Sequence, residues 1–408
     1  MLKILFATDH PAVQPSTGYS LQGALAVPRI HRAGLADMAF LSTYGQHGWV
    51  SSFDGVPVFP GGSDPFANDV INRTARGWGA DVVMTLKDTM VFRPETFQGV
   101  RWCPLTPIDH EPAPPAIVNV LRAAAYQPIA YAPNGVRELC KAGFDPLYAP
   151  HAYDPAVFYP MDKAAARQAL GLPLDRFIVG TVAVNRGGLP SRKAWAELVE
   201  GVGRFVRETA PDALYVAHTY RGDDGFEGAL PLSPIAAEHG VPLITPAPDL
   251  YRAGMPTEHV RAVYNAVDVL LCVSRGEGFG VPTLEAQACG TPVILGKWAA
   301  QADLLFAGWG LERDEARREL DGQMSYVHVP DPRAIAHRLA QAHASWREGM
   351  MLNYRAMALK GAAAFQIDRV VAEHWAPLLK GLEERIRREQ RTPRGVLRVV
   401  RPEEVLGL

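Results

Sequence analysis

The chain of 408 residues is longer than one ordinary hydrophobic core requires, so its length predicts two domains, or three. Its 48% hydrophobic and 21% charged residues are typical of a soluble globular protein. A formal net charge of −2 lies too close to zero to indicate nucleic acid or a membrane surface as the partner.

The cysteines and the apolar runs predict where the protein resides. Four widely spaced cysteines without a CxxC pair indicate free thiols in a reducing compartment; they are Cys103, Cys140, Cys272 and Cys289. The first residues resemble a strand rather than a signal peptide, and no apolar run approaches the roughly 18 residues that cross a bilayer. We therefore expect a cytoplasmic protein whose membrane contacts, if it makes any, are peripheral.

Short apolar runs alternate with helical patterns in the first half of the chain. Residues 2–7, 38–42 and 81–86 are predicted strands, and a helical pattern follows the first of them at 20–33. This alternation is typical of a parallel, doubly wound sheet. The absence of a GxGxxG motif argues against a dinucleotide dehydrogenase.

The motif TPIDHEP, residues 106–112, follows the next predicted strand and holds one histidine between two acids. Ligands on parallel sheets bind outside the carboxyl ends of the strands, so this loop is a candidate site. We expect His110 to act there, with Asp109 and Glu111 orienting its ring or binding the hydroxyls of an acceptor.

A cationic loop opens the second half of the chain. It follows a predicted strand at 177–184, contains Arg186, Arg192 and Lys193, and leads into a predicted helix at 194–208. Arginine offers a planar fork and lysine a movable point charge, so these side chains are suited to neutralise a diphosphate.

Residues 274–295, SRGEGFGVPTLEAQACGTPVIL, form the most informative stretch. Gly276, Gly278 and Gly280 allow a tight bend after a predicted strand, and Pro282 suits the first turn of a helix. A strand, a glycine bend and a helix N-terminus together present free backbone N–H groups to an anion.

Two acids lie in this stretch, Glu277 in the bend and Glu285 in the helix. A carboxylate aimed at a phosphate would repel it. An ionised carboxylate is a pure hydrogen-bond acceptor, so both acids are suited to sugar hydroxyls, which are donors.

This pattern resembles the E-x7-E signature of retaining, nucleotide-sugar-dependent glycosyltransferases of family 4, which have the GT-B fold. The resemblance implies an α/β protein of two facing Rossmann-like domains, each with a doubly wound parallel sheet, and a donor site in the cleft between them. It implies transfer of a sugar from a nucleoside diphosphate sugar, most naturally a UDP-sugar, to an acceptor hydroxyl with retention of configuration. It implies neither a metal ion nor a further cofactor, and D-x-D spacing is absent near Asp223 and Asp224.

The resemblance also implies roles for individual residues. Glu277 lies at the donor sugar as a catalytic residue, with His110 and Asp109 beside it. The resemblance implies that the donor diphosphate contacts Gly18 (in the loop 16–19), Arg186 and Lys193, with Arg192 as a rival for either cationic role. It implies that the donor sugar contacts Gly278, Phe279 and Gly280. It implies that the ribose contacts Glu285.

Three segments are predicted: an acceptor-side domain at 1–160, a nucleotide-sugar domain at 161–372, and a helix at 373–408 that crosses back and ends in a tail. Residues 147–160 resemble the family's interdomain stretch, but 151–154 lack the usual Asn-Gly, so a turn there must form without glycine. Seven arginines between 385 and 401 indicate a solvated helix and tail, or a docking surface for an anionic partner.

Three alternatives remain open. The same fold supports a disaccharide phosphorylase or synthase. The arginine-rich tail is compatible with an acceptor such as hydroxymethylated DNA or a cell-surface polymer. A nucleotide-sugar-binding protein without catalysis is the third.

Overall fold

The computed structural model describes residues 1–13, 17–46, 48–187, 190–225 and 228–391. The described residues build two α/β domains, each around its own parallel sheet. The strands of the first domain are β1 (Lys3–Thr8), β2 (Asp37–Ser42), β3 (Ser51–Phe53), β4 (Val56–Phe59), β5 (Val82–Leu86), β6 (Trp102–Thr106), β7 (Ile129–Ala130) and β8 (Leu147–Tyr148). Its helices are α1 (Gly18–Arg32), α2 (Ile71–Trp78), α3 (Pro115–Ala124) and α4 (Pro133–Lys141).

The first sheet has the strand order β3-β4-β2-β1-β5-β6-β7-β8. Every pairing in it is parallel except the antiparallel hairpin of β3 and β4. The central strands are buried on both faces: Ile4, Leu5 and Phe6 of β1 are at most 1% exposed. Continuous burial of this kind is what helices on both faces of a parallel sheet produce.

The second sheet contains six strands in the order β11-β10-β9-β12-β13-β14, all parallel. Its strands are β9 (Ile178–Val182), β10 (Leu214–His218), β11 (Leu243–Ile244), β12 (Val269–Leu271), β13 (Val293–Gly296) and β14 (Gly308–Leu311). The helices of this half are α5 (Lys163–Ala169), α6 (Trp195–Glu208), α7 (Leu232–His239), α8 (Pro248–Ala253), α9 (Thr257–Ala266), α10 (Val281–Ala288), α11 (Pro332–Arg347) and α12 (Met351–Ala362).

A separate antiparallel hairpin, β15 (Arg318–Leu320) and β16 (Tyr326–His328), follows the second sheet. The last described elements are α13 (Ile367–Val370), a π-helical turn (Val371–Trp375) and α14 (Ala376–Arg391). Short 3-10 helices occur at Thr89–Val91, Pro94–Phe97, Ala300–Leu304, Glu315–Arg317 and Ala363–Phe365.

The predicted fold class, two doubly wound parallel sheets in a GT-B arrangement, is confirmed. Individual strands are shorter than the apolar runs in the sequence that predict them. Only Ile129–Ala130 of the run 126–132 pairs as a strand, because Pro128 has no N–H to donate to a ladder. The hairpins β3–β4 and β15–β16 were not predicted, since strands of three or four residues show too little alternation.

The turn that was predicted to form without glycine does form, and it begins at Asp154: the Asp154 carbonyl accepts from the Val157 and Phe158 N–H groups at 3.0 and 2.9 Å. The side-chain amide of Gln22 bonds the N–H and C=O of Ala152 at 3.0 and 2.9 Å. The backbone of Tyr153 bonds Phe365 and Ile367, each at 3.0 Å. These partners on both sides satisfy the backbone of residues 152–153 just before the turn.

Helix α14 contacts residues of the first domain. Its Glu383 lies 2.8 Å from the N-terminal ammonium, Glu389 accepts from the Tyr126 hydroxyl at 2.7 Å, and Arg385 donates to Gln127 at 2.6 Å. The predicted arginine-rich tail beyond residue 391 lies outside the described residues. Among the helices of the described ranges, none combines the length and the apolar character that crossing a bilayer demands.

Candidate active site

The N-terminus of α1 opens at the carboxyl edge of the first sheet. Thr17 caps it, because its hydroxyl accepts from the Ser20 N–H at 3.0 Å while Ser20 accepts from the Thr17 N–H at 2.9 Å. Gly18 is the exposed first residue of the helix, and a Cβ on it would meet no atom within 4 Å. Space and free N–H groups are thus available where an anion was predicted; Ser16 of the predicted loop lies outside the described residues.

Sequence reasoning missed three charged residues beside this helix end: Asp9, Lys87 and Asp88. Asp9, which is 1% exposed, accepts from the Thr17 hydroxyl at 2.7 Å and pairs with Lys87 at 2.5 Å. Asp88 accepts from the Tyr19 hydroxyl at 2.8 Å. Asp9 directly follows β1, and Lys87 and Asp88 directly follow β5, so their position at strand ends was the available signal.

The glycine bend of residues 276–280 lies in the interface between the two domains. A Cβ on Gly276 would lie 2.0 Å from the backbone oxygen of Asp109, and one on Gly278 would lie 3.2 Å from Cβ of Pro107. Gly280 has φ of +103° and forms the N-cap of α10. The bend therefore needs glycine for close approach of the opposite domain at two positions and for its backbone conformation at a third.

Glu277 is buried at this interface, with 6% of its surface exposed. One carboxylate oxygen pairs with the Lys193 ammonium and accepts from the Ser274 hydroxyl at 2.6 Å. The other lies 3.3 Å from Nη1 of Arg192. Burial alone would raise the pKa of Glu277, but the charges of Lys193 and Arg192 outweigh it and lower the pKa to about 2. The group is a fixed anion held between two cations.

Arg192 joins the glycine bend to the first domain. Its Nη1 donates to the Gly276 carbonyl at 2.9 Å, and its Nε lies 4.0 Å from Oδ2 of Asp109. Burial tends to raise the pKa of Asp109, yet the hydrogen bond from His110 and the charge of Arg192 hold it below its ordinary value. Arg192 and Lys193 precede α6 directly, so both cations extend from the N-terminal end of a helix.

His110 is 1% exposed and lies between two carboxylates. Its Nδ1 is 2.6 Å from Oδ1 of Asp109, and its Nε2 is 2.7 Å from Oδ2 of Asp321. Burial disfavours the imidazolium, but both carboxylates outweigh it and raise the pKa of His110. The sequence anticipated Asp109 as the orienting acid but not Asp321, which follows β15 of the second domain.

Glu111 points elsewhere, so the expectation that it helps to orient His110 is wrong. Its carboxylate accepts from the Ala299 N–H at 3.1 Å and pairs with Arg313. Arg186, another predicted diphosphate ligand, is exposed beside Tyr251 of α8: burial raises the pKa of Tyr251 and the Arg186 charge opposes that rise. Of the three predicted cations, the structure brings Arg192 and Lys193 to Glu277.

Glu285 is 9% exposed and accepts from the Tyr264 hydroxyl at 2.8 Å. Burial raises its pKa to about 8, against the opposing hydrogen bond from Tyr264. The carboxyl group is therefore largely protonated at neutral pH and can donate as well as accept. This differs from the pure acceptor that the sequence suggested.

Phe279 turns its ring into an aromatic cluster rather than towards the bend. Its centroid lies 5.2 Å from His151, 6.5 Å from Tyr131 and 6.1 Å from Phe365. Burial lowers the pKa of His151 to about 3, so this ring is neutral and packs as an aromatic side chain. At Phe279, the backbone is the part that a ligand in the bend can contact.

An interdomain cavity of about 510 Å³ lies beside the bend. Its wall includes the segment that follows β13, where the Ala300 N–H donates to the Glu277 carbonyl at 3.1 Å. Five cations line it against three carboxylates: Arg137, Lys141, Lys297, Arg313 and Arg318 against Glu111, Glu138 and Glu315. Within the part of the chain that the structure describes, no cluster of three or more His, Cys, Asp or Glu side chains is arranged to hold a metal ion.

Comparison with known proteins shows which family part of this chain resembles. Residues 247–345, which include the glycine bend, match the family described as "Glycosyl transferases group 1". A protein named D-inositol 3-phosphate glycosyltransferase from Stackebrandtia nassauensis is 38% identical over 152 residues, covering 36% of this chain and 32% of that protein. The chain spans about a third to a half of the length of the curated relatives it matches.

Two solved structures share the whole architecture. Sucrose-phosphate synthase from Thermosynechococcus elongatus superposes with a TM-score of 0.68 at 17% identity, covering 96% of this chain and 99% of that one. Anabaena HepE, solved with UDP and glucose, superposes with a TM-score of 0.65 at 15% identity, covering 94% and 100%. The chain thus has the GT-B fold, and its residues 247–345 match the model of the glycosyl transferases group 1 family.

Proposed function

We propose that this protein is a retaining glycosyltransferase that moves a sugar from a UDP-sugar to an acceptor hydroxyl without a metal ion. The observation that carries the proposal is the Glu277–Arg192–Lys193 cluster on the glycine bend, at the boundary of two GT-B domains. The family match over 247–345 and the glycosyltransferase names of the relatives support it. The UDP bound by HepE supports the choice of donor.

The leaving diphosphate is the group that the cations serve in this proposal. Arg192, Lys193 and the N–H groups at Gly18 stabilise its charge as it develops, with Arg186 approaching from the α8 side. When the diphosphate binds Arg192 and Lys193 in place of Glu277, the Glu277 carboxylate becomes available to accept a hydrogen bond from a hydroxyl of the donor sugar. The Glu285 carboxyl group binds the ribose hydroxyls as a donor and acceptor.

The reacting carbon lies, in this proposal, between the bend and the 109–110 loop. The proposal assigns Glu277, Asp109 and His110 to the sugar side of the site. Departure of the diphosphate and attack by the acceptor then occur on the same face, through an oxocarbenium-like state: the bond from the sugar carbon to the diphosphate oxygen breaks, the bond to the acceptor oxygen forms, and the acceptor proton passes to the departing diphosphate oxygen. Contact between the bend and Asp109 excludes water that would hydrolyse the donor.

Donor binding is the first test. UDP-glucose at about 100 times its dissociation constant should raise the free energy of unfolding by about 2.7 kcal/mol, seen as a higher melting temperature. GDP- and ADP-sugars should shift it less, and a chelator should leave both the shift and product formation unchanged. If no nucleotide sugar changed the melting temperature, the proposed function would be excluded.

The acceptor, we further propose, carries a phosphate and binds in the interdomain cavity. Five cations line the cavity wall against three carboxylates, and Asp303 and Glu312 pair with Arg137 and Lys297 from outside the wall. The excess of cations on the wall itself favours an anion there, and a cavity of this size accommodates a sugar-sized molecule. The inositol phosphate in the names of the relatives supports this class of acceptor.

We expect a phosphorylated polyol to be glycosylated with a lower KM than the same polyol without phosphate. Lys297→Gln should raise the KM for the phosphorylated acceptor several-fold and leave the KM for the donor unchanged, because Lys297 lines the cavity. Lys380→Gln, an exposed lysine of α14, is the matched control. Equal KM values for both polyols in the wild type would contradict the phosphate, and not the transfer itself.

A further inference from the structure

The β15–β16 hairpin of the second domain forms hydrogen bonds with residues 111–112 of the first domain. The Glu111 N–H donates to the Tyr326 carbonyl at 3.1 Å, and Arg318 Nη2 donates to the Glu111 carbonyl at 2.6 Å. The Ser325 hydroxyl donates to the Pro112 carbonyl. One backbone-to-backbone bond and two side-chain donors, all on the backbone of residues 111–112, fix the position of the hairpin against the first domain.

The turn of this hairpin supplies the second carboxylate to His110. Asp321 begins the turn, donates its backbone N–H to the Ser325 carbonyl at 2.9 Å, and places Oδ2 at 2.7 Å from Nε2 of His110. Asp109 lies 2.6 Å from Nδ1, so a hydrogen bond from each ring nitrogen to its carboxylate requires the imidazolium form of His110. The ring can hold both carboxylates only in that charge state.

The same hairpin also contacts the glycine bend. Glu319 of β15 lies 3.0 Å from Nη1 of Arg275, and the His328 N–H of β16 donates to the Arg275 carbonyl at 3.1 Å. Arg275 directly precedes Gly276. One element therefore touches both walls of the candidate site, the 109–112 loop and the bend, on either side of the domain boundary.

We propose that Asp321 is a positioning residue that acts through His110: when the domains close, it supplies the second carboxylate that locks the imidazolium and so holds Asp109 against Arg192. The proposal rests on the proposed glycosyl transfer for its effect on rate. Asp321 touches neither Glu277 nor the two cations, so its effect on donor binding should be small.

The proposal predicts a specific pH dependence. The charged groups that face His110 are Asp109 and Asp321, and the next ones outward are Arg192 on Asp109 and Arg318 on the Glu111 backbone. Above its raised pKa the ring loses a proton, donates to one carboxylate only, and turns a lone pair to the other. The contact that holds Asp109 against Arg192 then weakens, so kcat/KM should fall as the pH rises above the pKa of His110.

Asp321→Asn is the test, because asparagine keeps the shape and removes the charge. Loss of one carboxylate lowers the pKa of His110, so the alkaline limb of kcat/KM should move to lower pH by about one unit. The variant should then be roughly tenfold slower than the wild type on that limb and closer to it near pH 6. Glu348→Gln, an exposed acid at the C-terminal end of α11 and away from the candidate site, should leave the limb in place.

A second readout needs no turnover. The imidazole NMR signals of His110 in the full chain should titrate at a lower pH in Asp321→Asn than in the wild type. An unchanged His110 titration, or a uniform loss of activity without a shift of the limb, would overturn the proposal. If no nucleotide sugar were turned over but the titration shifted, the proposed transfer would fail while the contact of Asp321 with His110 stood.

Discussion

Glu277→Gln is expected to lower kcat/KM for sugar transfer by at least about 10²-fold, the loss typical of removing one preorganised electrostatic contact. At a pKa of about 2 the carboxylate is fully ionised at any working pH, and it holds Lys193 and Arg192 in place for the diphosphate. Glutamine has a similar shape but no charge. It can bind neither cation as strongly nor accept from a sugar hydroxyl with the same strength. Steady-state kinetics with a UDP-sugar donor provide the measurement.

The same substitution should lower stability in a pH-dependent way. The pKa of Glu277 falls from 4.5 to about 2 on folding, so its stabilisation is present above about pH 4.5 and is lost as the pH falls towards 2. Glu277→Gln should therefore reduce the free energy of unfolding at neutral pH by on the order of 3 kcal/mol, measured by denaturant titration.

Glu208→Gln, an exposed acid at the end of α6, should change neither quantity and controls for loss of a negative charge. A Glu277→Gln protein that folds and turns over at the wild-type rate would refute the central role given to this carboxylate. A loss of activity explained wholly by unfolding would show as a melting transition below the assay temperature, and the assay should be run well below that transition.

Gly276→Ala is expected to lower kcat/KM by about 10²-fold through geometry alone. The new Cβ would lie 2.0 Å from the backbone oxygen of Asp109, a separation that no real contact tolerates. The two domains must then separate by about an ångström at this point, and a displacement of that size in a catalytic site costs about that factor in rate. The free energy of unfolding should also fall, by about 1–3 kcal/mol, as for other overpacked sites.

Gly77→Ala in α2 is the matched control, because a Cβ there meets no atom within 4 Å. It should leave activity unchanged and stability equal or slightly higher, since alanine favours a helix. Small-angle scattering should show a larger radius of gyration for Gly276→Ala than for the control. Wild-type kcat/KM in the Gly276 variant would mean that contact between the bend and Asp109 is not needed for the reaction.

Local patterns predicted the fold and the position of the bend. The buried runs around β1, β5 and β9 are apolar at successive positions, which indicates strands covered on both faces. Glycines before Pro282 predicted a strand-bend-helix unit, and α10 begins there, at Val281. These features depend on residues a few positions apart, and such preferences can be recognised from the chain alone.

Contacts between distant segments could not be predicted in the same way. Asp321 reaches His110 across 211 positions, and nothing near either residue indicates the pairing. The choice of Arg192 rather than Arg186 as a partner of Glu277 depends on the path of one loop. The raised pKa of Glu285 depends on burial against Tyr264, which is set by how α9 and α10 pack.

The amino-acid sequence by itself determined the alternation of strands and helices that builds the two parallel sheets, the glycine bend and which residue types line it, because backbone conformation follows from neighbouring residues. Only the tertiary structure decided which charges face one another, that Glu277 is ionised while Glu285 is largely protonated, and that a hairpin of one domain completes the histidine site of the other. Charge state and hydrogen bonding depend on burial and on partners in space, and the packing of the two domains alone creates both.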